Sequence, residues 1–329
     1  MSPADARWQP GADLATARVR ARMLAAARRF FDAHGLLEVE TPAVSTAAVS
    51  DPNIESVEVR LHAAGGRPCF LHTSPEYAMK RLLAAGWPDI FQVCRVFRDG
   101  EVGRRHQPEF TMIEWYRSGF GLTQMMRHTV DFIEALLTPG RVSGAPRYVG
   151  YADAFRRQLG IDPLAAPTAE LRAAARPDAQ LAGALGEDRD AWLDLLLARE
   201  IVPRFPARRL TVLHHYPASQ AALARRCPDD ERVADRFEVF CGPLELANGY
   251  HELGDAAEQR ARFAGDQARR QRAGRPLRPL DEKLLAALDA GLPDCAGVAL
   301  GFDRLVMLEC GRDRLREVQL FTALEDNDD

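Results

Sequence analysis

The sequence predicts an α+β fold, an antiparallel sheet flanked by helices. Strand-like runs come as neighbours, residues 90–98 with 109–117 and two runs within 237–253, as antiparallel partners do. Helix-period segments are segregated between these pairs and do not alternate with single strands, which argues against a doubly wound parallel sheet. Length and composition agree: 329 residues, 47% hydrophobic and 27% charged, supply core for one large domain.

Residues 16–34 read as an amphipathic helix, with Thr16 as cap, Val19, Met23, Phe30 and Phe31 recurring near a 3.6 period, and Gly35 as the stop. Leu37 and Val39 then alternate in an extended stretch that Pro42 ends. Residues 57–61 and 69–72 look like strands. Residues 73–86 read as a helix capped by Thr73 or Ser74, with Pro75 in the first turn and Gly86 at the end. The strand 90–98 is apolar enough to be buried, and 109–117 is its natural partner. Residues 150–236 are rich in Ala, Arg and Leu and read as a mostly helical insertion, interrupted by the strand-like 210–217. FEVFCGPLELANGYHEL (237–253) reads as two β runs around Cys-Gly-Pro, although Asn248-Gly249 is itself a turn signal. Helices at 255–273 and 281–291 follow, and 295–311 reads as strand, tight turn, helix. The whole chain, 1–329, is expected to form a single catalytic domain carrying that insertion.

The net charge of −4 gives no general attraction for a polyanion, so a nucleic-acid partner would need a local basic patch. Arginine clusters at 225–226 and 269–272 sit in polar, helix-like sequence and read as solvated faces. Six cysteines, never closer than 14 apart, form neither a metal knuckle nor a disulfide framework. No apolar run is long enough to span a bilayer, and the N-terminus lacks the apolar core of a signal peptide, so a cytoplasmic location is expected.

The common phosphate loops and hydrolase elbows are absent. Three stretches carry chemistry instead. In FRDGEVGRRHQPEFTMIEWYR (97–117), Arg98, Arg104, Arg105 and His106 form a cationic cluster able to neutralise a polyphosphate, and Phe110 can stack on a purine. Glu114 and Tyr116, two apart on a strand, share one face and offer a carboxylate and a phenol to a small cation. The same stretch also fits a charged, solvent-exposed hairpin. In PLELANGYHEL, Glu245 and Glu252 fit a Mg²⁺ site between phosphate oxygens, or ordinary surface acids. In GVALGFDR, Gly301 allows close approach of a ligand, and Arg304 in the following helical turn suits a phosphate or an adenine ring.

Taken in order, these stretches resemble the three motifs of class II aminoacyl-tRNA synthetases. TSPEYAMKRL, FQVCRVFR, PEFTMIEWYR, PASQAAL, ELANGYHEL and GVALGFDRLVM resemble most closely the lysyl branch, and the resemblance runs from about Trp8 to Phe321. The first helix begins near residue 16, leaving no room for the anticodon-binding OB domain of lysyl-tRNA synthetases. WQP near the start, EWYR at 114–117 and Ala299 look closest to the elongation factor P–(R)-β-lysine ligase family, whose acceptor is a lysine of elongation factor P.

The resemblance implies ATP-dependent activation of β-lysine, with Mg²⁺ as cofactor. It also implies transfer to elongation factor P, a homodimer through the 16–34 helix and the strand ending at Pro42, and no use of tRNA or membrane. In that reading Arg98 and Arg304 are catalytic, contacting the α- and γ-phosphates, with Phe110 and Arg304 around adenine. Asp99, Gly100, Glu101, His106, Gln107, Glu245, Leu246 and Gly301 complete the ATP site, and Glu245 and Glu252 hold the metal. Ser74, Pro75, Glu76, Glu114, Tyr116, Asn248, Glu252 and Ala299 line the amino-acid pocket, whose acids suit a substrate with two ammonium groups. The chain departs from the family pattern at Gly100-Glu101, which shifts the expected acid by one position, and at Gln107, where Asn is usual. Ala299 stands where the synthetases have Gly, a methyl worth about 1–3 kcal/mol of discrimination. A truncated synthetase acylating tRNA, or an inactive regulatory paralogue, are the alternatives; retention of Arg98, Glu245, Glu252 and Arg304 counts against the latter.

Overall fold

The computed structural model describes residues 8–324. Helix α1 (Leu14–Ala33) leads through β1 (Leu37–Glu38), β2 (Val44–Ser45), β3 (Glu58–Arg60) and β4 (Pro68–Leu71) to helix α2 (Glu76–Ala84). The hairpin β5 (Ile90–Phe97) and β6 (Glu109–Ser118) precedes α3 (Leu122–Leu136). Strand β7 (Arg147–Gly150) opens a run of short helices: α4 (Tyr151–Leu159), α5 (Thr168–Ala175), α6 (Ala179–Leu185) and α7 (Arg189–Leu196). Strands β8 (Leu210–Pro217), β9 (Arg226–Cys227), β10 (Asp230–Cys241) and β11 (Leu244–His251) follow. Helices α8 (Ala256–Arg272) and α9 (Glu282–Gly291), strand β12 (Cys295–Gly301) and α10 (Phe302–Cys310) complete it.

The main sheet runs β1-β5-β6-β12-β11-β10-β8-β7, with β9 on β10. Its pairs are antiparallel except at the ends, where β1–β5 and β7–β8 are parallel, each joined through intervening helix. A smaller sheet, β2-β4-β3, stands apart.

The pleat of β6 divides the molecule. Ile113 and Trp115 point into the main core with Phe31 of α1 and Phe132 of α3, while Phe110, Met112, Glu114 and Tyr116 face a cavity. Ring centroids 4.7 Å apart for Phe31–Phe132 and 4.9 Å for Trp115–Phe132 make this an aromatic core. Truncating such a ring costs about 3–5 kcal/mol. The short helices form a second core, with Tyr151, Phe155 and Trp192 packed on Leu213 and Phe240 of the sheet.

Several local expectations are corrected. Helix α1 starts two residues earlier than Thr16, and Asp13 caps it: Asp13 Oδ1 accepts from the Thr16 N–H at 2.7 Å. After a single 3-10 turn at Ala218–Gln220, residues 221–236 are not helical; β10 already begins at Asp230. Asn248-Gly249 makes no turn but lies inside β11, where a Cβ on Gly249 would stand 2.5 Å from the Phe237 ring. Arg225 precedes β9 and Arg226 opens it, so neither lies on a helix. Arg270 is fully buried: it donates to Asp51 O and Pro276 O and ion-pairs with Glu55 at 2.6 Å, so it is not on a solvated face.

Candidate active site

One cavity of about 2520 Å³ opens over the polar face of β6, β11 and β12. Its cationic end is built from the β5–β6 hairpin and the first turn of α10. Arg98, just past β5, lies 5.2 Å from the Phe110 ring centroid and 3.7 Å from Glu101. Arg304 Nη2 meets His106 Nε2 at 2.7 Å, and Arg304 Nη1 meets Glu245 Oε2 at 3.4 Å. Burial and the adjacent Arg304 hold His106 below the usual histidine range, so its ring accepts this hydrogen bond in the neutral form. The aim of Arg304 is set by its buried neighbour Asp303, which accepts from the Thr111 N–H at 2.6 Å and from Arg20 and Gln319 side chains. That anchor ties α10 to β6 and to α1.

The other end is acidic. Glu114 is buried, and both its oxygens are satisfied by hydroxyls: Ser74 Oγ donates at 2.7 Å and Tyr116 OH at 2.7 Å. Next to it Lys80 Nζ, also buried, sits 2.7 Å from Glu76 Oε1 and 2.6 Å from Glu252 Oε2. Three carboxylates thus face one ammonium. Burial, then Glu76, pushes Glu114 up to about 7, because no cation touches it. Burial likewise pushes Glu252 above the usual carboxyl range. Lys80 is desolvated too, but Glu252 and Glu76 outweigh that and keep it charged well beyond an ordinary lysine. Gly297 makes the packing possible: a Cβ there would stand 2.3 Å from Tyr116 and 2.5 Å from Glu252 Oε1.

Glu245 and Glu252 are seven residues apart, which on a regular strand puts them on opposite faces. The register slips between Val239 and Phe240 of β10, so that Phe240 faces Glu245 while Val239 faces Ala247. The extra residue, Leu246, restores the parity, and both acids line the cavity.

The cavity wall takes in Arg98, Glu101, His106, Gln107, Phe110 and Arg304 from the expected ATP set, with Glu245, Leu246 and Gly301. It also takes in Ser74, Pro75, Glu76, Glu114 and Tyr116, with Asn248, Glu252 and Ala299. Asp99, Gly100 and Arg104 are exposed and stand outside it. Gly301 is not sterically required, since a Cβ would make only ordinary contact with Arg304 at 3.8 Å. Sequence reasoning missed Lys80, whose spacing four residues after Glu76 on a helix was a readable signal. It missed Asp303, which has no local signature. It also missed Arg236, half-buried 4.4 Å from the Tyr216 ring centroid and paired with Glu238, at the end of the stretch read as helix. Among the described residues, no helix is long and apolar enough to cross a membrane.

Comparison with known proteins identifies the family. Residues 12–325 match the family of class II tRNA synthetases (D, K and N). The chain is 47% identical over 322 residues to a protein of Klebsiella pneumoniae subsp. pneumoniae named elongation factor P–(R)-β-lysine ligase, covering 97% of this chain and 98% of that one. A protein of Salmonella paratyphi B with the same name matches to the same extent, 47% identical with 97% and 98% covered. The chain therefore belongs to the class II tRNA synthetase family (D, K and N), and within it to the group of elongation factor P–(R)-β-lysine ligases.

Proposed function

We propose that this protein activates (R)-β-lysine with ATP as an acyl-adenylate and transfers the β-lysyl group to a lysine side chain of elongation factor P. The observation that carries this reading is the charge layout of one cavity: an arginine-lined end contiguous with a pocket of three carboxylates, two of them paired with the single ammonium of Lys80. A substrate with two ammonium groups and one carboxylate suits that layout, ammoniums toward Glu76, Glu114 and Glu252 and carboxylate toward Arg98. Asn248 Oδ1, buried in this wall without a hydrogen-bond partner, fits an ammonium as well.

The β-lysine carboxylate is ionised near neutral pH, so activation needs no general base. Its oxygen attacks the α-phosphorus, pyrophosphate leaves, and the mixed anhydride remains. Arg98 neutralises the α-phosphate in that step, and Arg304 releases His106 and Glu245 to grip the γ-phosphate. Phe110 and Arg304 enclose adenine, with Glu245 and Leu246 beside it, and His106 and Gln107 close on the phosphates. Glu101 steadies Arg98, and the Asp99-Gly100 turn shapes the loop. In the amino-acid pocket, Ser74, Pro75, Glu76 and Tyr116 set the shape, and the Ala299 methyl, paired in register opposite Glu114, trims it. In the second step the acceptor amine, having lost a proton, attacks the anhydride carbonyl; AMP leaves and an amide forms.

Mg²⁺ fits the oxygen donors of Glu245 and Glu252, which the bulge at Leu246 brings to one face. Glu245 is the freer donor, because Glu252 shares one oxygen with Lys80. When bound, the ion would offset phosphate charge and hold the polyphosphate bent. We further propose that one catalytic domain carries this activity, its insertion at about 150–236 helical only as far as Arg204, as a cytoplasmic homodimer joined through α1 and the strand before Pro42.

Intact-mass analysis of elongation factor P incubated with the protein, ATP and labelled β-lysine tests the acceptor. The expected result is one added β-lysyl group whose linkage resists mild alkali. Alkali-labile label on tRNA with unmodified elongation factor P would overturn the reading.

A further inference from the structure

Outside the cavity, β8, β9 and β10 bring together three side chains of different chemistry. A ring nitrogen of His215, Cys227 Sγ and an Asp235 oxygen all lie within 4.8 Å of one another. None of the three lines the cavity, and the proposed reaction uses none of them. We propose that His215, Cys227 and Asp235 form a binding site for one divalent transition ion of the zinc class.

The distances suit such an ion. His215 Nε2 and Asp235 Oδ1 are 3.7 Å apart, too far for a hydrogen bond. Two ligands about 2.0–2.2 Å from a tetrahedral zinc stand roughly 3.4 Å from each other, so little movement is needed. The outer contacts orient the donors. Arg225 Nε donates to Asp235 Oδ2 at 2.9 Å, leaving Oδ1 for the cluster. His214 Nδ1 engages His215 Nδ1 at 2.6 Å, leaving Nε2 for the cluster, the arrangement usual around metal-bound histidines.

The backbone is unusual here as well. His215 has φ 57°, a left-handed conformation seldom taken by a residue with a side chain. It lies where the β8–β10 register slips between Ala234 and Phe237. These irregularities bring the imidazole against the β9–β10 hairpin. Cys227 and Asp235 are buried, whereas His215 is half-buried, which gives an ion a way in.

The donor set selects the metal. Mg²⁺ and Ca²⁺ take oxygen ligands, and a nitrogen, a thiolate sulfur and one carboxylate do not provide them. The nearby Arg225 guanidinium also disfavours a purely ionic cation, so the bond to the Cys227 thiolate has to carry much of the affinity. Three protein ligands leave the fourth tetrahedral position for water. Bound there, the ion would fasten the β9–β10 hairpin to β8. Arg226 and Arg236, each adjacent in sequence to a ligand, line the cavity, so the ion would steady that part of its wall.

Cobalt(II) added to the full-length, chelator-treated protein is the probe, because thiolate ligation gives a charge-transfer band and tetrahedral geometry gives strong d–d bands. We expect both bands to saturate at one equivalent and to disappear on adding zinc. Cys227→Ser should remove the charge-transfer band. His214→Ala should keep the band but weaken binding by about 10–100-fold, as loss of an orienting contact does. Should Cys227→Ser fail to fold, His215→Gln gives the same reading, with loss of tetrahedral binding expected. Absence of a saturable band in the wild type, or undiminished bands in Cys227→Ser or His215→Gln, would overturn the proposal.

Discussion

Replacing Lys80 by methionine keeps the length of the side chain and removes the only cation among Glu76, Glu114 and Glu252. Lys80 is 1% exposed and makes contacts of 2.7 Å and 2.6 Å to two of these acids. Deleting one partner of a buried ion pair costs about 3–5 kcal/mol, because the other charge stays behind without compensation. At 2–4 °C per kcal/mol for large domains, the expected drop in Tm is roughly 6–20 °C, with the lower part more apt for a chain of this length. The loss should depend on pH. Uncompensated carboxyls take up protons in the folded state, so the variant holds more protons folded than unfolded above the ordinary carboxyl pKa of about 4.3. Its stability therefore falls as pH rises, and the deficit against wild type is larger at pH ~8 than at pH ~5.5. Thermal melts of both proteins at the two pH values measure this. A variant that melts within about 1 °C of wild type at both pH values would refute the view that Lys80 compensates the acid cluster.

Three further outcomes follow from the same geometry. With its pKa near 7 and no cation in contact, Glu114 should make the affinity for a diammonium substrate rise with pH and level off above about 7. Binding should be about tenfold weaker one unit below that value, and Glu114→Gln should lose the part of this dependence that Glu114 contributes, as titration calorimetry from pH ~5.5 to ~8.5 would read. Gly297→Ala drives a methyl into Tyr116 and Glu252, so amino-acid activation should fall by about 100-fold with far-UV circular dichroism unchanged. Normal ATP–pyrophosphate exchange in that variant would mean the pocket lies elsewhere. Arg304→Ala should lower the same exchange by about 10²–10³ through lost charge stabilisation, and near-normal exchange would exclude Arg304 from phosphate binding.

How far the sequence could be read depended on whether the signal was local. The β5–β6 hairpin was legible because its strands adjoin and one face of each is apolar. The first part of β10 was not, because Asp230, Glu231 and Arg232 are polar at successive positions and the ionic Asp235 and Arg236 follow, which leaves no alternation to find. At Asn248-Gly249 a genuine local turn signal lost to a tertiary demand, the Phe237 ring against Gly249. Arg270 looked solvated because its partners Asp51 and Glu55 are far away in the chain. Half of the Lys80 arrangement was visible as a helical pair with Glu76; the other half, Glu252, became a neighbour only when β11 and β12 closed the sheet beside α2.

Strand β6 links the two ends of the cavity. From Phe110 to Tyr116 its alternate residues span six positions, roughly 20 Å at about 3.4 Å per residue, on a single face. Phe110 stands with Arg98 at the cationic end, while Glu114 and Tyr116 stand with Lys80 at the acidic end. A molecule carrying charge of one sign would be held at one end only. A molecule carrying ammonium groups and a carboxylate would be aligned by the field itself, its carboxylate directed toward the arginines before any close contact formed. Activation consumes that carboxylate charge, yet the ammonium groups stay anchored, so the activated acyl group remains fixed while pyrophosphate departs. In the proposed reaction, the excess of carboxylates over ammonium at the acidic end would serve retention of the intermediate as much as selection of the substrate. Neutralising Glu114 should therefore raise the loss of free adenylate to solvent along with the KM for the amino acid.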